Sequence, residues 1–346
     1  MTSKTPSSDI RFFMSVVMFL MATMATLGNF IIVFLYWTRP ALKKNANLLI
    51  ANIAVADMLV GFLSMTAVGV SMSFNDWVFG SPLCTISAFL DNVMLVTSMY
   101  LIMMISVERL IRITRPNEYR KRVTQTVTKA MVAIAWAVSV VLSSPPVLGI
   151  ATYKYSPATF SCGLKIEGYF APQWFLIFSL VAFFPPIICT FYCYGNIFYV
   201  GWQVVNSSRF KSANVTTEVI VTSVDDKTST VQVNKTKRKK HMPKGMKLSM
   251  SIFGIVALVL IFNFPVVCLG LLMYAGVITT IPYELGMTFH VLWYVHSALN
   301  PLIFLFTVPD FHHHLSLLRK SSFRPKAQTR NIMIRDHNSE TSMRCS

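Results

Sequence analysis

Seven stretches of this chain are each long and apolar enough to cross a bilayer as a helix: roughly 12–37, 47–73, 83–108, 128–150, 172–200, 246–275 and 283–307. A hydrocarbon core takes about 20 helical residues to cross, and a helix pairs its own backbone N–H and C=O groups where no water can. The expected fold is an all-α membrane protein, a seven-transmembrane-helix bundle over 12–307 with an N-terminal segment at 1–11 and a tail at 308–346. Only 13% of residues are charged against 54% hydrophobic, a balance no ordinary soluble domain shows.

An odd number of crossings puts the termini on opposite sides. Lys4, Arg11, Lys154 and Lys165 are the only basic residues in the N-terminus and the second, fourth and sixth connections; every other Lys and Arg of the 31 lies in the remaining loops and tail or, as Lys129 and Lys247, at the span ends that adjoin those loops. The positive-inside rule therefore predicts an extracellular N-terminus and a cytoplasmic C-terminus. The net charge of +17 then faces membrane lipids and cytoplasmic partners, and nucleic acid is not an expected partner. The first apolar stretch exceeds a signal-peptide core and reads as a signal anchor.

The connection at 201–245 is polar, ends in the basic run before span six, and reads as a mobile cytoplasmic loop. Its sequons at Asn206, Asn214 and Asn234 are thus expected to stay unglycosylated. After span seven, "VPDFHHHLSLLRKSSFRPK" predicts a short amphipathic helix along the membrane surface. His312, His313 and His314 point about 100° apart on such a helix and cannot share one metal ion from it. Cys84 and Cys162 both fall on the outer side, where an oxidising compartment favours a bridge between them.

Span three carries Asp91 near one end and Glu108-Arg109 near the other. Eighteen residues of helix make about five turns and about 27 Å, so Asp91 and Arg109 share a face at opposite membrane boundaries. Intramembrane ionisable groups are costly and face a bundle interior or cavity. Asp91 reads either as an anion lining an outward-opening pocket or as a group that ties helices together, and Glu108-Arg109 as a charge pair at the cytoplasmic mouth.

These residues sit among further motifs: Gly28-Asn29, "NLLIANIAVADML" with Asp57, "WVFGSPLC" at 77–84, "ERL" at 108–110, Trp136, Pro186 with Tyr194, "FNFP" at 262–265 and "NPLIF" at 300–304. In that order on seven spans, the chain resembles the rhodopsin-like (class A) G-protein-coupled receptors over about 12–320, with most similarity to the biogenic-amine subgroup. The resemblance implies a plasma-membrane receptor in which an extracellular ligand biases two states and a heterotrimeric G protein reads the cytoplasmic end. Glu108, Arg109, Tyr194, Asn300, Pro301 and Phe304 match its coupling and activation positions. Gly245 stands where many relatives place an acid against that arginine, which implies a weaker inactive state. Asp57, Ser98 and Asn300 match a sodium site, implying allosteric Na+ and no other cofactor, although His296 replaces the usual asparagine there and a water-filled polar network is the alternative.

Asp91 matches the aspartate with which aminergic receptors hold a protonated amine, and Tyr294 the tyrosine bonded to it; a carboxylate facing an ammonium makes a strong charge-assisted hydrogen bond. A small cationic ligand is therefore expected, with Asn92, Leu95, Phe178, His290 and Trp293 as neighbours. Departures are plain: Asn263 replaces the span-six tryptophan, Val259 the phenylalanine a turn before it, and Phe304 the last tyrosine of the span-seven motif. Trp293 is the candidate to refill the space at Asn263. Phe178 and Ala182 replace catechol-binding serines. No lysine occurs between Lys247 and Lys320, so retinal is not an expected ligand. A peptide or other non-amine ligand, or high basal activity, is the second reading. Internal repeats of a transporter and the nucleophile or metal constellation of an enzyme are not evident in the sequence.

Overall fold

The computed structural model describes residues 7–165, 170–206, 215–220, 232–237, 244–278 and 282–322. Span one is Ser8–Thr38, span two Asn45–Phe74, span three Gly80–Thr114, span four Gln125–Ser143, span six Lys244–Tyr274 and span seven Tyr283–Thr307. Span five is two helices, Ala171–Ala182 and Phe184–Asn206. Among the described residues six spans meet the length and hydropathy needed to cross a membrane, and in span six the apolar stretch is Ile261–Tyr274. Large side chains such as Phe12, Phe30, Phe191 and Phe306 point outward, while Asn29, Asp57, Ser98 and Asn300 are buried within the bundle. This is the inverted patterning that a lipid solvent selects.

Proline explains several departures from the expected boundaries. Span four stops at Ser143 rather than near 150, because Pro145 and Pro146 have no N–H with which to continue the helix ladder. Span five breaks at Phe183, just ahead of Pro185-Pro186. Pro185 has no N–H for the carbonyl of Val181, and the Tyr100 hydroxyl of span three donates to that carbonyl at 3.0 Å. The same logic joins spans one and seven: Pro301 frees the Ser297 carbonyl, and Asn29 Nδ2 donates to it at 3.2 Å.

Beside that bond Gly28 faces Pro301 so closely that a Cβ on Gly28 would lie 2.7 Å from the proline ring. Neither a rigid ring nor a helix backbone yields easily. Gly28→Ala is expected to destabilise the bundle by about 1–3 kcal/mol through overpacking. A thermal unfolding scan of the detergent-solubilised protein tests this, and an unchanged midpoint would show that spans one and seven separate freely.

Span two departs from an α-helix in its middle, where Val60–Met65 forms a π turn after the Asn45–Leu59 segment and before Thr66–Phe74. The extra residue rotates the Thr66–Phe74 segment about the helix axis, and Gly61 lets the turn come within contact of Ala25 and Thr26 on span one.

The chain between spans four and five folds as an antiparallel hairpin, β1 Thr152–Ser156 and β2 Ser161–Lys165, and Cys162 is bonded to Cys84 at the start of span three. The end of the bundle carrying this hairpin is the one that the charge asymmetry assigns to the outside. Its turn residue Phe160 has φ of 52° and is 1% exposed. A left-handed conformation costs a residue with a Cβ about 1–2 kcal/mol, and complete burial of a phenylalanine returns about 1.5–3 kcal/mol, so burial holds the turn.

The 201–245 connection contains more order than its composition suggests: β3 Val215–Ile220 pairs antiparallel with β4 Gln232–Lys237. Val, Ile and Thr in these segments favour strands, which outweighs the polar residues around them. Asn206 ends the span-five helix, Asn234 lies in β4, and Asn214 falls outside the described residues. After span seven a helix runs over Pro309–Ser322, where Asp310 accepts from Lys44 at 2.8 Å and from Asn47 at 3.2 Å. Partial burial raises the Asp310 pKa, but these donors outweigh it and hold the carboxyl below its usual range.

Candidate functional site

A narrow cavity of about 10 Å³, room for about one water, runs inside the bundle from Asp91 to Asp57. At its outer end Asp91 accepts from the Tyr294 hydroxyl at 3.3 Å, and the buried Ser64 of the π turn lies near the same carboxylate. Among the described residues no basic side chain forms an ion pair with it. Leu95 and Trp293 line the same cavity.

The other expected neighbours are more distant from it. Asn92 turns along its own helix and donates to the Ala88 carbonyl at 2.8 Å. His290 packs its ring edge-on against Tyr294 at 5.0 Å between centroids, and its Nε2 is buried without a hydrogen-bond partner. Phe178 reaches the cavity only through an aromatic chain: it meets Phe183 at 6.4 Å, and Phe183 meets Trp293 at 6.4 Å. Trp293 thus extends from span seven to the break in span five and packs against both large hydrophobic clusters of the bundle. Asn263 is buried nearby, its Nδ2 donating to the Val259 carbonyl at 2.7 Å and lying 3.5 Å from His296 Nδ1.

At the inner end of the cavity, Asp57 accepts from the Ser297 hydroxyl and from Asn300 Nδ2, both at 2.7 Å. His296 lies against this pair, with Nδ1 2.7 Å from the Trp293 carbonyl and Nε2 3.2 Å from Ser297 Oγ. Asn300 Oδ1 is buried without a partner, and Ser98 lines the cavity wall. Carboxylate, hydroxyl and unpaired amide oxygen form a donor set that fits a hard cation.

Toward the end of the bundle opposite the hairpin Glu108 and Arg109 are 2% and 3% exposed, and Arg109 Nε lies 3.4 Å from Glu108 Oε2. The two are sequence neighbours on one helix, and neither Arg109 Nε nor either Glu108 oxygen makes a well-formed hydrogen bond. Arg112 approaches Glu108 at 3.8 Å while its guanidinium lies over the Tyr119 ring at 4.7 Å. Tyr194 is buried against Phe198 of its own helix and Phe253 of span six, and Phe304 is fully buried on span seven. The side-chain surroundings of Gly245 lie outside the described residues.

Sequence reasoning missed Ser64, Phe183, Phe160 and Ser297. Ser297 carried a signal, since Trp293, Ser297 and Asn300 recur at helical spacing and share a face. Ser64 carried none, because its aim depends on the π turn.

Residues 28–304 match the family model of the "7 transmembrane receptor (rhodopsin family)". A high-affinity lysophosphatidic acid receptor of Xenopus laevis is 28% identical over 54% of this chain, which spans only 50% of that receptor. Trace amine-associated receptor 8b of Rattus norvegicus is 25% identical over 98% of this chain and 93% of its own. The crystal structure of squid rhodopsin superposes with a TM-score of 0.76 at 19% identity, covering 92% of this chain and 88% of that one.

Proposed function

The chain belongs to the rhodopsin family of seven-transmembrane receptors, and from that premise we propose that it binds a small extracellular protonated amine at Asp91 and activates a heterotrimeric G protein at its Arg109 end. The observation that carries the ligand class is Asp91 itself: a half-buried carboxylate inside the bundle, with a neutral donor on it and no ion-pair partner among the described residues. A buried anion is costly to leave unpaired, and a ligand ammonium supplies its counter-charge. Trp293 and Tyr294 beside it offer ring faces to the same cation.

Coupling is carried by the other end. Glu108 and Arg109 form a buried pair whose polar atoms are poorly satisfied, so an outward swing of Arg109 toward a partner gives up little. Asp57, Ser98 and Asn300 would hold a sodium ion between the two ends, whose charge neutralises Asp57. The absence of lysine from span seven separates this reading from a pigment with retinal bound there as a Schiff base.

A lipid reading has its own support in the likeness to a lysophosphatidic acid receptor. That chemistry would bring a phosphate toward Asp91, where like charges repel. The test is a panel of protonated amines beside lysophosphatidic acid, read as nucleotide exchange on G protein by membranes carrying the receptor. An amine is expected to stimulate exchange; stimulation by the phospholipid alone would replace the amine reading.

A further inference from the structure

The hairpin above Asp91 is folded into the bundle. Between the paired residues Ser156 and Ser161 its turn is Pro157-Ala158-Thr159-Phe160, and Phe160 occupies the left-handed region where glycine or asparagine is the ordinary choice. Its ring is nevertheless among the most deeply buried in the protein, in one cluster with Met94 of span three and Met287, Val291 and Tyr294 of span seven. Three attachments hold the hairpin there. Cys162 is bonded to Cys84, the Tyr153 hydroxyl donates to the Ser143 carbonyl at 3.0 Å, and the Ala158 carbonyl lies 2.7 Å from where a Cβ on Gly286 would stand. A strained residue persists where its surroundings over-determine it, and such residues concentrate at functional sites.

We propose that Phe160 is the resident occupant of the ligand pocket, an internal ligand that an extracellular amine must displace to reach Asp91. The cavity beside Asp91, which shares Met94 and Tyr294 with the cluster that holds Phe160, is about 10 Å³, too small for any organic cation. Ligand binding is therefore a competition: the apparent affinity is the intrinsic affinity reduced by the fraction of receptors in which Phe160 is withdrawn. The cluster around the ring is apolar, so withdrawal of Phe160 would open space among Met94, Met287, Val291 and Tyr294, on the side of the bundle that carries Asp91. The inference rests on Asp91 as the ligand's anchor, but its test needs no ligand.

Met94→Cys places a thiol in the same cluster, one helical turn from Asp91. The full-length receptor at the cell surface is treated with 2-aminoethyl methanethiosulfonate, a cationic probe whose sulfur is transferred to the thiol with release of methanesulfinate. The parent with its native cysteines provides the background, and labelling is read as added mass on the purified protein. Reaction is expected to be slow with Phe160 in place and about tenfold or more faster with Phe160→Gly, which fits the left-handed turn without strain. Phe160→Asn, also tolerant of that conformation, is made in parallel and should give the same acceleration if the glycine variant fails to reach the surface. Equal rates with and without the phenylalanine would overturn the proposal. A failed amine panel with accelerated labelling would instead reject the amine and keep the occupied pocket.

Discussion

Asp91→Asn is expected to weaken the binding of a protonated-amine agonist by about 30-fold to several thousand-fold, the equivalent of about 2–5 kcal/mol for removing one partner of a buried charged pair. Asparagine keeps the size of the side chain and an oxygen to accept from Tyr294, so the bundle should fold and reach the surface. What it removes is the charge, leaving a desolvated ammonium without a counter-ion. Tyr294→Phe should cost less, because its 3.3 Å bond only orients the carboxylate and one such hydrogen bond is worth about 0.5–1.5 kcal/mol net. Saturation binding to surface-expressed variants gives both numbers. An agonist bound equally well by Asp91→Asn would leave Asp91 as a group that ties spans two, three and seven together.

The spans and the placing of Asp91 and Arg109 on one helix were legible in the sequence because each depends on a local regularity: apolar length and a whole number of helical turns. What was not legible depends on backbone groups released by proline and on loops folding back. Tyr100 serves the Val181 carbonyl only because Pro185 leaves it free, and Asn29 serves Ser297 because of Pro301. The place of Trp293 shows a middle case. Its adjacency to the gap left by Asn263 was readable, but its contact with Phe183 depends on the break in span five. Asn92 is the opposite lesson: helical spacing puts it beside Asp91, yet its amide bonds back to Ala88 and leaves the cavity wall to Leu95 and Trp293. The hairpin plug was beyond reach, since nothing in "YSPATFSC" marks Phe160 as a core residue rather than a turn residue in solvent.

Arg109→Ala is expected to reduce agonist-stimulated nucleotide exchange to the level of G protein without receptor, while surface expression and amine binding persist. Folding should survive because Glu108 keeps a cationic neighbour, Arg112 at 3.8 Å, when Arg109 is lost. The loss falls on coupling because Arg109 is the buried cation of the face that carries Asp91, about five helical turns away, and its planar fork of donors can grip partner carbonyls or carboxylates that alanine cannot. Arg109→Lys separates charge from shape: a point charge on a flexible stem keeps the cation but loses the fork, so exchange should be partial at best. Full exchange by Arg109→Lys would make charge the whole of the role. Normal exchange by Arg109→Ala, in receptor shown by labelling to be at the surface, would move the coupling site away from the end of span three altogether.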